Sequence, residues 1–406
     1  MKQHYTRIFS IDWLLHRKIF LPLACIYGLL LCFLLPAARL SAPARADGGA
    51  PNLAYVAGSA AGISVIDVAQ KAISRTIAVK SEPHALLLSP DGRYLYVTQP
   101  QSGQLMILAA GTGNTICSAA LPGQPQFLAL DVNTSSLYVA GKGSNQVTTL
   151  DTSNCKIKRT FQAQAPITGV ALALPQINLA DGQDTQLWAT TTHGLAIFNT
   201  QNGKNLHSIS LADEPRALAI PPGRTAYITT EQGNITAIDT NNYQNMTIMA
   251  SGSYGPMDFD ESTGEVYVPD ARHNELAVLS PVVVGYSHPH EPERTWNFPS
   301  APVSVAITND GQLGFVALAG GQVAMLDLPG KQTVVNLHVG GMPRFIITGL
   351  YPPLAPINPQ EATLSGILIT IGAYGLIAVM LIAPTIYFTY RRFGRARKRV
   401  REKPMP

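Results

Sequence analysis

The chain has 406 residues, 46% of them hydrophobic and only 13% charged, with 34 Gly and 30 Pro. That length allows one large or two medium domains, and the Gly and Pro content suits many turns. Residues 47–361 hold 15 Lys/Arg against 23 Asp/Glu, while both ends are basic, so the net charge of +4 hides an acidic body. An acidic body with its aromatics in strands argues against a nucleic-acid partner, and basic ends beside apolar runs resemble membrane flanks.

Lys2, Arg7, Arg17 and Lys18 precede an apolar run from Ile19 to Leu35, and Ala44-Arg45-Ala46 has the small-residue pattern of a cleavage site before Asp47. Residues 1–46 therefore read as a secretory signal peptide. The 17-residue run is also long enough to stay as a signal anchor helix. Residues 47–52 form a short linker.

From residue 53 to residue 350 the chain repeats. An aromatic inside a short alternating strand marks each unit: Tyr55, Tyr96, Tyr138, Trp188, Tyr227, Tyr267 and Phe315, spaced 41, 42, 50, 39, 40 and 48 residues apart. A second strand follows each by about ten residues (ISVIDV, QLMILA, QVTTLD, GLAIFN, NITAID, ELAVLS, QVAMLD). A third, nearly all apolar, precedes each new unit (EPHALLLS, QPQFLALD, APITGVALAL, EPRALAIP, GPMDFD, APVSVAIT, MPRFIIT). Seven units of about four strands cannot bury both faces of their sheets alone; radial stacking into a propeller does so. The apolar strand is innermost, and its leading Pro sits at a strand start, where a missing N–H is tolerated. The first unit lacks an inner strand and the last inner strand lacks a unit. The fold is therefore expected to be all-β: a seven-bladed β-propeller whose C-terminal strand closes blade one.

Residues 351–363 form a Pro-rich linker. Leu364 to Phe388 is then apolar and uncharged, and residues 364–390 read as one C-terminal transmembrane helix with Tyr387 and Tyr390 at an interface. The tail, 391–406, is basic, which puts it in the cytoplasm and the propeller outside. The lipid bilayer is thus one expected partner, and the expected location is the cell membrane, single-pass, or two-pass if the N-terminal segment is retained.

The blade-two stretch PHALLLSPDGRYLYVTQ, followed by QLMIL, resembles the YVTN-type repeats of seven-bladed propellers found in bacterial and archaeal surface proteins. Related blades occur in the haem d1 domain of nitrite reductases. The resemblance covers roughly residues 53–349, and units four and six depart by insertions. It implies the propeller fold and no single activity.

Propellers bind ligands where inner strands begin around the central channel. The residue after each Pro is expected at that mouth: Arg344, His84, Gln126, Ile167, Arg216, Met257 and Val303. His84, Arg216 and Arg344 suggest an anion or carboxylate site, with Gln126 as a polar neighbour, since Arg forks suit planar anions; a water-filled channel with a naturally polar mouth is the alternative. Glu82 and Glu214 are the carboxylates available there. The blade-six insertion carries His288, His290 and Glu291, with His273 nearby, but it is Pro-rich and reads as an exposed loop, so a metal centre is not expected there. Asp181 and Asp184 in the blade-four insertion lack calcium-loop spacing. Cys117 and Cys155 lie near outermost strands of adjacent blades. An oxidising exterior permits a disulfide between them, against the splay of those strands and their unequal offsets. Asp67, Asp151, Asp239 and Asp327 recur at one position of several blades and read as turn caps. There is no C-x-x-C-H, G-x-S-x-G, H-E-x-x-H or P-loop, and no cofactor is expected. Two functions remain open. One is a membrane-anchored binding or interaction module for an extracellular protein or small molecule. The other is a propeller enzyme, lactonase-like or redox-associated, which requires a carboxylate facing His84 in the mouth.

Overall fold

The computed structural model describes residues 53–174 and 185–349. The signal or anchor segment, most of the blade-four insertion, the Pro-rich linker, the transmembrane segment and the basic tail lie outside these residues. Among the described residues no helix is long and apolar enough to cross a membrane.

The described residues form 28 strands in seven four-stranded antiparallel sheets, and six of those sheets take their strands in chain order. Blade two shows the local logic. Its strands are Leu86–Leu88, Tyr94–Gln99, Gln104–Ala109 and Thr115–Ala120. Between the first two, Pro90 starts a turn that Gly92 ends at φ +69°, with the Gly92 N–H donating to the Ser89 carbonyl at 2.8 Å. Asp91 holds the turn by accepting from the Ser89 hydroxyl and the Arg93 N–H. The turns after the third strands use the same device. Asp67 accepts from the Gln70 N–H, Asp151 from Ser153, Asp239 from Asn241 and Asp327 from Gly330.

The seventh sheet closes the ring. Phe345–Thr348 pairs with Leu53–Ser59 in the register Ala54↔Thr348 to Ala57↔Phe345. The Gly349 N–H then donates to the Leu53 carbonyl at 2.9 Å. Blade one thereby gains the same four strands as the others and the ring closes, which a linear array could not do. The core lies between blades. Trp188, Tyr96, Tyr227, Tyr267 and Phe315 are fully buried there, each removing an aromatic from water at a gain of about 1.5–3 kcal/mol.

Two expectations needed correction. Blade six has only Asp258–Phe259 as its inner strand, and upstream of it Tyr254 makes an isolated bridge to Asp270. Its insertion is also not simply a solvated loop. The Val282 N–H donates to the Tyr227 hydroxyl at 2.9 Å and the Thr225 hydroxyl donates to the Val282 carbonyl at 2.7 Å. The start of the insertion is thus pinned to blade five, while Tyr286 further on is 73% exposed.

Cys117 and Cys155 are joined by a disulfide, with Cα atoms 6.0 Å apart. The splay between outer strands does not forbid it, because Cys155 is not in its strand. It sits in the preceding turn at φ +59°, ahead of Ile157–Gln162, and so reaches the outer strand of blade two.

Candidate functional site

The inner strands carry a recurrent irregularity at their first turns of chain. Ladder register slips between Pro125 and Phe127, between Pro215 and Ala217, and between Pro302 and Ser304. In each case the residue after Pro is an extra residue on a bulge. In blade two, His84 and Ala85 both bond to Thr98, through the His84 N–H to its carbonyl at 2.9 Å and its N–H to the Ala85 carbonyl at 3.0 Å. A bulge re-aims the side chain it carries. Here it turns Gln126, Arg216 and Val303 out of the ladder and toward the channel.

The result is one cavity of about 690 Å³ at the channel mouth, lined among others by His84, Gln126, Arg216, Met257, Val303 and Arg344. All seven blades thus place their post-Pro residue on its wall. Blade four differs. Its Pro stands one residue earlier relative to the bulge, so the slip falls between Ile167 and Gly169, and Thr168 takes the extra position. Ile167 touches the wall but is 1% exposed and packs in the blade-three–blade-four core.

Glu82 sits beside this wall and is engaged twice. Arg344 Nε donates to its Oε1 at 2.7 Å and Gln101 Nε2 to its Oε2 at 3.0 Å. Glu214 lines the cavity and is exposed. Two charged wall residues were missed from the sequence, Lys142 and Glu231. Both stand where second strands end, and the turns that follow reach the same face as the inner-strand starts. The relevant signal was the position just after each second strand, such as the Lys after SLYVAG.

The mouth is mixed in charge but rich in free donors. Arg216 Nε approaches Glu231 at 4.0 Å and Arg344 uses only Nε on Glu82. The terminal nitrogens of both guanidiniums, and the Lys142 ammonium, take no hydrogen-bond partner among the described residues. Burial pushes the His84 imidazole below its ordinary range, and the Arg344 charge adds to this. Glu82 and a hydrogen bond with the Gln126 backbone oppose the shift. His84 Nδ1 is buried without a partner.

The His and Glu residues of the blade-six insertion, where no metal centre was expected, lie apart from the mouth. His288 and His290 meet edge to face, with ring centroids 4.7 Å apart, and His288 Nδ1 lies 2.8 Å from the Pro289 carbonyl oxygen. Glu291 lines the same surface hollow as His288. Among the described residues, the group with three ligand atoms within reach of one another is Asp270, His273 and Glu275, on the hairpin between the second and third strands of blade six.

No family model matches the chain. Among curated proteins it is 24% identical over 207 residues to the protein YncE of Salmonella typhimurium, described as uncharacterized, and 23% identical to YncE of Salmonella typhi. Each match covers 48% of this chain, and the chain spans about half the length of these relatives, 55%. The fold likeness is broader. The β-propeller domain of Cps50 (Swd1) from Myceliophteria thermophila superposes with a TM-score of 0.57 at 14% identity, covering 68% of this chain and 91% of that one. The chain is a seven-bladed β-propeller, and its repeats are similar to the YVTN type. Dihydro-heme d1 dehydrogenase NirN in complex with DHE (TM-score 0.54, 15% identity, 74% and 76% coverage) and apo AztD from Citrobacter koseri (0.55, 13%, 73% and 98%) share the fold. Neighbours with such different names carry the fold and leave the activity to the site.

Proposed function

We propose that this chain is a membrane-anchored, extracytoplasmic β-propeller that serves as a binding module, with its channel mouth taking a small anionic ligand. The carrying observation is the convergence of bulged residues from separate blades on one cavity, where the Arg216 and Arg344 terminal nitrogens and Lys142 have no partner among the described residues. Free guanidinium forks in a partly enclosed cavity favour carboxylates and phosphates. The binding reading is preferred to an enzyme because Glu82 is already held by Arg344 and Gln101 and Glu214 is exposed to solvent.

Placement outside the cytoplasm draws on the apolar 364–390 segment, the basic tail after it, and the Cys117–Cys155 disulfide, a bond of oxidising compartments. The ends of the propeller meet at Leu53 and Gly349, at the far end of the strand that begins near Arg344. Chains leaving there toward a bilayer leave the mouth facing away from it.

Full-length protein in detergent is to be heated with dicarboxylates, hydroxy acids and phosphate esters. A ligand that binds only the folded state raises Tm. The expected result is a rise with at least one anion that is lost in the triple variant K142A/R216A/R344A. A rise that survives in the triple variant, or no rise with any anion, overturns the ligand reading. Protease accessibility of the propeller on intact cells tests the topology separately.

A further inference from the structure

The blade-six hairpin departs from the other blades in a way that the fold does not require. Its second strand, Val266–Asp270, and third strand, Glu275–Leu279, pair so that Asp270 stands directly opposite Glu275. Like charges facing each other across a ladder are destabilising. At the corresponding places blade two pairs Gln99 with Gln104, blade four Thr191 with Gly194, and blade seven Leu318 with Gln322. No turn-capping role requires the second carboxylate, because Asp270 alone caps the turn.

The geometry around these acids is fixed in advance. Asp270 is 2% exposed, and its Oδ1 accepts from the Ser253 and Arg272 N–H groups, both at 2.9 Å. Its Oδ2 is left facing His273 Nδ1 at 2.7 Å. The turn is tied at both ends: the Ala271 N–H donates to the Ser253 carbonyl at 2.9 Å and the Phe298 N–H to the Asn274 carbonyl at 2.8 Å. Arg272, the cation on the turn, is directed elsewhere, donating to the Ser251 carbonyl at 2.9 Å. The Glu275 carboxylate takes no hydrogen bond among the described residues. A nitrogen and two carboxylate oxygens therefore converge, all within 4.8 Å, and one of the carboxylates has no partner.

We propose that Asp270, His273 and Glu275 form a binding site for a divalent first-row transition ion, with Zn²⁺ the ion best matched to the donors. One imidazole and two carboxylates suit Zn²⁺, whereas Ca²⁺ takes six to eight oxygens. Ligand bonds of about 2.0–2.2 Å put two ligands of a tetrahedral ion roughly 3.3 Å apart. Asp270 is held and need not move. His273, 52% exposed at its side chain, and Glu275 close the remaining distance by rotamer changes. A divalent ion neutralises both facing carboxylates. The exposed side leaves a fourth position for water or an incoming ligand, and the backbone N–H groups on Asp270 act as the outer shell that orients it. The site lies on the face that carries the channel mouth, separate from the cavity wall, and it does not depend on the anion reading.

The test uses metal-stripped full-length protein, with Zn²⁺ titrated against a chromophoric chelator near neutral pH and Co²⁺ absorption as a second readout. Wild type is expected to compete for Zn²⁺ and to show a Co²⁺ band. His273→Ala and Glu275→Gln are each expected to weaken Zn²⁺ binding at least about tenfold, a lower bound set by what outer-shell losses alone cost. Their Tm without metal is expected to stay near that of wild type. H288A/H290A is the control and is expected to retain binding. Failure of wild type to compete, an unchanged affinity in His273→Ala, or loss of binding in H288A/H290A alone would each overturn the assignment.

Discussion

Between the blades, the aromatic that marks each repeat is buried to within 3% in every unit, from Tyr55 to Phe315. At the mouth, the matching positions hold His84, Gln126, Thr168, Arg216, Met257, Val303 and Arg344, and no residue type is required there. Both regions come from the same strands. They differ because a blade interface is packed on two sides, so volume and apolarity are constrained at every repeat. The mouth faces solvent across a bulge, where many side chains fit. Repetition therefore reports the fold, and departures from repetition report what the molecule does. The same reasoning singled out the blade-six hairpin.

Substitutions in the two regions should separate cleanly. The largest effect is expected at Trp188, which is 0% exposed between blades four and five: Trp188→Ala is expected to lower stability by about 3–5 kcal/mol in denaturant unfolding. A loss under about 1 kcal/mol would mean that the interface relaxes in a way its packing does not suggest.

Removing the disulfide with C117S/C155S comes next. It closes a loop of 38 residues, and loop-closure entropy gives a loss of about 3–4 kcal/mol. Reductant is expected to lower the Tm of wild type to that of the variant and to leave the variant unchanged.

Asp258 should move in the opposite direction. It is half-buried as a residue, but its carboxyl is enclosed against blade seven, where it accepts from the Ile307 N–H at 2.7 Å. Desolvation pushes it up from 3.8 to about 7, with the Ile307 and Phe259 backbone bonds opposing. The folded state thus holds a proton that the unfolded chain has lost. The stability tied to this group is full below its ordinary pKa and is lost as pH rises through about 7. Asp258→Asn keeps an acceptor for Ile307 and carries no charge. It is expected to be more stable than wild type above about pH 7 and equal to it below about pH 4, in Tm measured across pH. Equal Tm at all pH values would show that the carboxyl is better solvated than its surroundings indicate.

The smallest stability effects are expected at the mouth. Arg216→Ala and Arg344→Ala are exposed changes and should stay within about 0.5 kcal/mol of wild type, while altering anion-dependent Tm shifts. His84 adds a pH signature. Its imidazole is held below its ordinary range, so the folded state resists protonation that the unfolded chain accepts. Stability is expected to fall as pH drops below 6.5, and His84→Asn is expected to flatten that slope.

Much of the architecture was legible in the chain because a propeller repeats its constraints. Aromatic spacing, alternating strands and leading prolines showed the seven blades, and the surplus strand after Met342 showed the closure. The mouth was legible in outline, since Pro marks where inner strands begin. In blade four the Pro precedes the bulge by one residue more than in other blades, so Thr168 joins Ile167 on the wall, and ladder register is not visible in a single strand. Lys142 and Glu231 were missed because turns after second strands reach the mouth only once the blades are folded. The Cys117–Cys155 bond depended on a left-handed turn residue that spacing does not reveal.

By itself, then, the sequence determined fold class, blade number and ring closure, because each follows from local patterns repeated until only one arrangement buries them. Tertiary structure decided which side chains share a cavity, which charges are already paired, and that Asp270, His273 and Glu275 meet. Those outcomes depend on register and on contacts between strands, where a shift of one residue sends a side chain to the opposite face.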